Sequence, residues 1–151
     1  MLGLAACGTS DDTMEDAPVD CSKAMPGVDM FVAGIEHPGD KGMYNFKLVD
    51  AMPAPPARSM AGNFNTWTLQ VNALSAGVVG APVSNADIRV TPYMPAHMHG
   101  SGVPVEITPM SEPGQYKLGD INLWMQGVWE TTVRATVDPT SDSTVFKFCI
   151  P

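Results

Sequence analysis

The chemistry that this sequence can support is concentrated in residues 91–102, the Met/His stretch. It contains two of the three histidines, His97 and His99, and two of the eleven methionines, Met94 and Met98. Imidazole nitrogen binds copper in both oxidation states, whereas the soft, uncharged thioether sulfur favours Cu(I) over zinc or calcium. The residue types therefore predict a copper site that prefers Cu(I) to Cu(II).

The spacing of the two histidines allows them to share one ion. In an extended chain, residues two apart point to the same face, with about 7 Å between their Cα atoms. The same alternation sends Met98 to the opposite face, together with Met94 if the chain stays extended through Pro95. The spacing thus leaves open which methionine joins His97 and His99. An isolated His-X-His is more often a solvated loop, and it is the methionines that favour a metal here.

Length and composition predict one all-β domain. A chain of 151 residues can bury a core without the help of a metal. Fourteen glycines, fourteen prolines and only 16% charged residues favour short strands and many turns over a helical bundle. The net charge of −8 disfavours binding to nucleic acid, whose phosphates need a basic surface. No apolar run approaches the roughly 20 residues of a membrane-spanning helix.

The first residues resemble the export signal of a bacterial lipoprotein. Leu4, Ala5, Ala6 and Cys7 follow the lipobox pattern, in which the cysteine is lipidated after cleavage. We expect residues 1–7 to be the truncated end of a longer signal peptide. The residue after the cysteine is glycine and not aspartate, which favours sorting to the outer membrane. The expected location is the bacterial cell envelope, lipid-anchored and facing the periplasm.

The residues after the lipobox are acidic until the second cysteine. Residues 8–20 contain five carboxylates and no lysine or arginine, which predicts a disordered tether. The folded domain is then expected to comprise residues 21–151. If Cys7 carries lipid, Cys21 and Cys149 remain as a pair in a compartment where disulfides persist. A bond between them would stabilise the domain by about 5 kcal/mol in the chain-entropy model.

Alternation of apolar and polar side chains indicates a β-sandwich. The predicted strands lie at residues 30–35, 44–48, 66–72, 86–90, 103–107, 115–118, 128–137 and 145–150. About seven to eight strands with turns between them are typical of an immunoglobulin-like β-sandwich.

Several local features refine this prediction. Turn residues around His37 place this third histidine in a loop. Three prolines make residues 53–61 a linker or an edge loop. The predicted buried positions change from even to odd between Leu118 and Ile121, which indicates a bulge near Gly119.

The last predicted hairpin supplies another candidate ligand. A Gln-Gly pair, residues 126 and 127, is expected to close a tight hairpin into strand 128–137. Met125 then lies at the hairpin tip and can meet the Met/His stretch if both lie at one end of the sandwich. We therefore expect Met125 as the leading ligand beside the histidines, with Met94 and Met98 as alternatives. The side chains expected to point inward from this strand are Trp129, Val133, Ala135 and Val137.

A series of short motifs between residues 62 and 137 resembles the YtkA-like domain family. The motifs are Gly80-Ala81-Pro82-Val83, Ala86-Asp87-Ile88-Arg89-Val90, Met94-Pro95-Ala96-His97-Met98-His99-Gly100, Gly114-Gln115-Tyr116 and Leu123-Trp124-Met125-Gln126-Gly127-Val128-Trp129-Glu130. The resemblance implies a small extracytoplasmic β-sandwich, often lipid- or membrane-anchored, that takes part in copper handling or in the assembly of copper-dependent respiratory oxidases. Related modules occur in FixH-type proteins. The implied partners are copper and a copper-dependent oxidase or copper-transport protein.

Two functions remain after these observations. The first is a copper-binding lipoprotein that acts as a buffer, chaperone or resistance factor. The second is a module that binds protein or carbohydrate through Tyr93, Trp124 and Trp129. An enzyme is not expected, because the sequence has neither a Gly-X-Ser-X-Gly elbow nor an evident pair of catalytic carboxylates. A blue-copper carrier needs a thiolate beside its histidines, and no cysteine lies near His97 in the sequence.

Overall fold

The alternation of side chains produces ten antiparallel strands in residues 18–151, the part of the chain that the computed structural model describes. Every second side chain of a strand points to the same face, so one face becomes apolar and is buried. The strands are β1 (Ile35–Pro38), β2 (Tyr44–Met52), β3 (Asn65–Ser75), β4 (Val78–Pro82), β5 (Asp87–Met94), β6 (His99–Gly100), β7 (Glu106–Pro109), β8 (Gln115–Ile121), β9 (Gly127–Val137) and β10 (Thr140–Ile150).

The strands form two sheets that enclose one core, which confirms the all-β sandwich. The first sheet has the order β1-β2-β3-β8-β7, with β4 also paired to β3, and the second has the order β10-β9-β5-β6. Trp67, Leu69 and Val71 on β3 are fully buried, as the alternation predicts. They lie in one apolar cluster with Trp129, Phe146 and other residues of the second sheet. The short strands β4 and β6 are not predicted, because neither carries an alternating buried face.

The two cysteines of the folded part are joined, as the sequence predicts. Cys21 lies in a short 3-10 helix, Cys21–Ala24, and Cys149 lies near the end of β10. Their Cα atoms are 5.7 Å apart in the disulfide, which closes a loop of sequence separation 128. Cys7 and most of the predicted tether lie outside the described residues. No helix within residues 18–151 has the length and apolar character needed to cross a membrane.

The prediction for the first strand is wrong. The strand begins at Ile35, because Gly34, with a φ of 86°, forms a turn in which Ile35 donates its N–H to the carbonyl of Val32. β1 then continues through His37, which pairs with Phe46 on β2. The third histidine is therefore in a strand and not in a turn.

Asp142 ties the start of β2 to β10. The residue is only 1% exposed. Its carboxylate accepts backbone N–H hydrogen bonds from Lys41 (2.9 Å), Met43 (2.8 Å), Tyr44 (3.2 Å) and Ser143 (2.9 Å). Burial raises the pKa of this carboxyl, but the four hydrogen bonds favour the charged form and hold its pKa below the usual value.

The predicted bulge at Gly119 is present. Between the pairs Trp67↔Leu118 and Asn65↔Ile121, β8 contains one more residue than β3. Asp120 absorbs the extra residue with a φ of 58°. As a result, Leu118 and Ile121 both point into the core and are fully buried.

The predicted hairpin before strand 128–137 is wrong. β8 pairs with β3 and β7, whereas β9 pairs with β10 and β5. Residues 122–126, the crossing segment, therefore pass from one sheet to the other. Met125 lies in this crossing segment and not at a hairpin tip. The inward assignment is correct for Trp129, Val133 and Ala135, but Val137 is 41% exposed because the strand has reached the sandwich edge.

Candidate metal centre

The Met/His stretch forms the end of one strand, a turn and a short return strand. β5 and β6 pair through Tyr93↔Gly100 and Met94↔His99. Between them, the N–H of His97 donates to the carbonyl of Met94 at 3.2 Å, and Met98 has a φ of 53°. The chain is therefore not extended from Pro95 to Met98, and the predicted alternation does not apply there.

The turn nevertheless brings the two imidazoles together. The ring centroids of His97 and His99 are 5.8 Å apart, with an interplanar angle of 52°. A ring nitrogen binds a metal of this class at about 2.0 Å, which places the ion about 3.2 Å from the ring centroid. Two imidazoles that share one ion therefore have centroids roughly 5–6 Å apart. The observed separation lies in that range.

One nitrogen of His99 is free for a ligand. Its Nδ1 lies 2.9 Å from the carbonyl oxygen of Gly100, which can only accept a hydrogen bond. Nδ1 therefore carries the hydrogen, and in the neutral ring Nε2 retains its lone pair. A backbone carbonyl that fixes the tautomer in this way is a usual partner of a metal-binding histidine.

Two indoles surround His99. The ring of Trp124 lies almost parallel to the imidazole, with centroids 5.9 Å apart and an angle of 17°. Trp129 meets it edge to face at 6.1 Å. Trp129 is fully buried and donates its Nε1–H to the carbonyl of Met125 at 3.0 Å, whereas Trp124 is 43% exposed. The aromatic side chains thus form an apolar wall beside the histidine.

The three candidate methionines occupy different places. Met94 is fully buried and pairs across strands with His99, so both side chains lie on the same face. A Cβ on Gly127 would lie 2.5 Å from the methyl carbon of Met94, which shows that Met94 packs against the first residue of β9. Met125, in that segment, is partly buried against the core. Met98 is 81% exposed on the turn.

Two polar residues that the sequence interpretation missed connect the crossing segment to the histidine hairpin, which is formed by β5, the turn after it and β6. Asn122 donates its Nδ2–H to the carbonyl of Ser101 at 3.3 Å, and both residues are buried. The signal in the sequence is an asparagine inside the apolar run Ile121-Asn122-Leu123-Trp124, where a polar side chain needs a partner.

Carboxylates do not complete a metal site here. Across residues 18–151, no three His, Cys, Asp or Glu side chains come close enough to hold a metal ion. Met94 and Met125 offer thioether sulfur, a soft donor, as a further ligand type.

Comparison with known proteins identifies the family. The model of the YtkA-like family matches residues 55–134. The chain belongs to the YtkA-like family. No curated protein and no solved structure matches the chain. The matched residues include β3 to β8 and most of β9, with the Met/His stretch and the crossing segment. The match leaves out β1, β2, β10 and both disulfide cysteines. The sequence resemblance over residues 62–137 predicts this.

Proposed function

We propose that this YtkA-like protein is an extracytoplasmic, lipid-anchored copper-binding protein that acts as a buffer, chaperone or resistance factor. The observation that carries the proposal is the 5.8 Å separation of the imidazoles of His97 and His99, with Nε2 of His99 free. In this proposal both histidines bind one Cu(I) ion. The role is binding and not catalysis.

Thioether sulfur completes the proposed ligand set. Met94 lies on the face of His99, and Met125 lies two residues before Gly127, which packs against Met94. Both side chains are uncharged and partly or fully shielded from water, which favours a monovalent, soft ion over hydrated Zn²⁺. Met98 points into solvent from the turn, so it ranks behind the other two methionines.

A competition titration with Cu(I) under reducing, anaerobic conditions tests the proposal. Wild type should bind one equivalent, and the His97→Ala/His99→Ala double variant should lose this binding. Met125→Leu and Met94→Leu conserve side-chain volume, and we expect each to weaken binding about ten-fold with little loss of stability. Met98→Leu is the matched control. Equal binding by wild type and the double variant would place copper elsewhere.

The proposed anchor is tested separately. When the protein is expressed behind an export signal, Cys7 should be acylated and the protein should sediment with membranes. Cys7→Ser should move it to the soluble fraction, whereas membrane association of this variant would contradict the proposal.

The alternative function, a module that binds protein or carbohydrate, has fewer residues to support it. Trp129 is fully buried, and Tyr93 precedes Met94 on β5, so it points to the opposite face of the sheet. Trp124 alone remains as an exposed aromatic contact beside His99. Wild-type protein that binds no copper in the titration would favour this alternative.

A further inference from the structure

The crossing segment carries Trp124 and Met125 but belongs to neither sheet. Its conformation therefore depends on contacts other than strand pairing. One contact is the hydrogen bond from Asn122 to Ser101, and another is the bond from Trp129 to the carbonyl of Met125. These contacts link the segment to the histidine hairpin and to β9.

Further hydrogen bonds come from the proline-rich loop, residues 53–63. Ser59 donates its N–H to the carbonyl of Leu123 at 3.1 Å, and its Oγ accepts the N–H of Leu123 at 2.8 Å. The Nε–H of Arg58 donates to the carbonyl of Trp124. One serine thus satisfies both backbone groups of Leu123, as a neighbouring strand would.

Buried hydrogen bonds hold the loop in place. Ser59 is 3% exposed, and its hydroxyl donates to Oδ1 of Asn65, which is fully buried. Asn65 in turn donates to the carbonyl of Pro53 at 2.6 Å. Prolines fix φ and have no N–H of their own, so they restrict the loop and leave its carbonyls to be satisfied by side chains such as Asn65.

We infer that Ser59 is a positioning residue that sets the place of Trp124 and Met125 against His99. The proline-rich loop is then the outer support of the candidate site. The inference concerns the positions of Trp124 and Met125 in the metal-free protein. Only its consequence for copper affinity rests on the proposed function.

The substitution Ser59→Ala leaves the N–H of Leu123 without its acceptor while adding no bulk. Three readouts on the metal-free full chain report the site: hydrogen exchange of the Leu123 amide, tryptophan emission and the ring-proton resonances of His99. We expect faster exchange, altered emission and a shifted His99 resonance. Ser59→Thr keeps the hydroxyl and should restore all three signals. Cu(I) affinity should fall about ten-fold in Ser59→Ala, as for other partners that orient metal ligands.

Ser84→Ala is the matched control. Ser84 also accepts a backbone N–H through its hydroxyl, from Gly114 at 3.0 Å, but it lies between β4 and β5, away from the crossing segment. If Ser59→Ala lowers the unfolding midpoint but leaves the His99 and tryptophan signals as in Ser84→Ala, the inference is overturned. If wild type binds no Cu(I), the proposed function fails, and the metal-free signals still decide whether Ser59 positions the segment.

Discussion

Replacing Asp142 by asparagine removes half of a four-fold hydrogen-bond site. The amide keeps one oxygen but places an NH₂ donor where the second oxygen stood. Whichever way the amide turns, two of the four backbone N–H groups lose their acceptor. A hydrogen bond to a charged group contributes about 1.5–3 kcal/mol, so the expected loss is about 3–6 kcal/mol in the free energy of unfolding. Many domains have a total stability of only about 5–15 kcal/mol.

Urea denaturation at neutral pH, followed by tryptophan fluorescence, measures this loss. Asp138→Asn is the control, because Asp138 is exposed in the turn of the same hairpin. It should change the free energy of unfolding by less than about 0.5 kcal/mol. A loss below about 1 kcal/mol in Asp142→Asn would refute the assigned role of the carboxylate.

The pH dependence gives a second check on Asp142. Because its pKa is lower in the folded state, the carboxylate contributes its stability in full above the unfolded-state pKa, near 3.8. This contribution is lost as the pH falls from there through the lower folded-state pKa. The difference between wild type and Asp142→Asn should therefore shrink in that acidic window. A difference that is constant over the whole range would contradict the argument.

Three further outcomes are expected. Gly127→Ala should lower the free energy of unfolding by about 1–3 kcal/mol in urea titrations. The reason is that the new Cβ meets the methyl of Met94 and that the residue has a φ of 122°. An unchanged unfolding midpoint would contradict this packing. Reducing the disulfide between Cys21 and Cys149 should lower the free energy of unfolding by about 5 kcal/mol. Denaturation with and without reductant measures this loss, and a negligible change would show that closing the loop does not stabilise the domain. Cu(I) affinity should fall as the solution becomes more acidic, because protons compete for the imidazoles. An affinity that does not change with pH would argue against histidine ligands.

The sequence predicts the features that depend on alternation within a strand. The odd-numbered face of β3 and the bulge at Gly119 follow from the period of two, because burial of one face fixes the register. The disulfide follows from counting cysteines in a chain that is expected to be exported. None of these predictions requires knowledge of which strands pair.

The features that the sequence does not predict depend on distant partners. The residues at 126 and 127 look like a hairpin turn, but the following strand pairs with β5 and β10 in the other sheet. The histidines meet through a turn and not through an extended chain, because the paired ends at Met94 and His99 reverse the direction. The role of Ser59 depends on a contact with Leu123, 64 residues away. Local patterns carry no information about such contacts.

The pairing of β9 with β10 and β5 shows at which end of the sandwich the N-terminal part of the chain joins the folded domain. Cys149 pairs with Val128, and Tyr93 on β5 pairs with Glu130, so the disulfide and the histidine hairpin lie at the same end. Three strand spacings, about 14 Å, separate β10 from β6 there. From Cys7 to Cys21 the chain reaches at most about 50 Å. If Cys7 carries the proposed lipid, these two lengths limit how far from the bilayer the proposed copper site can lie.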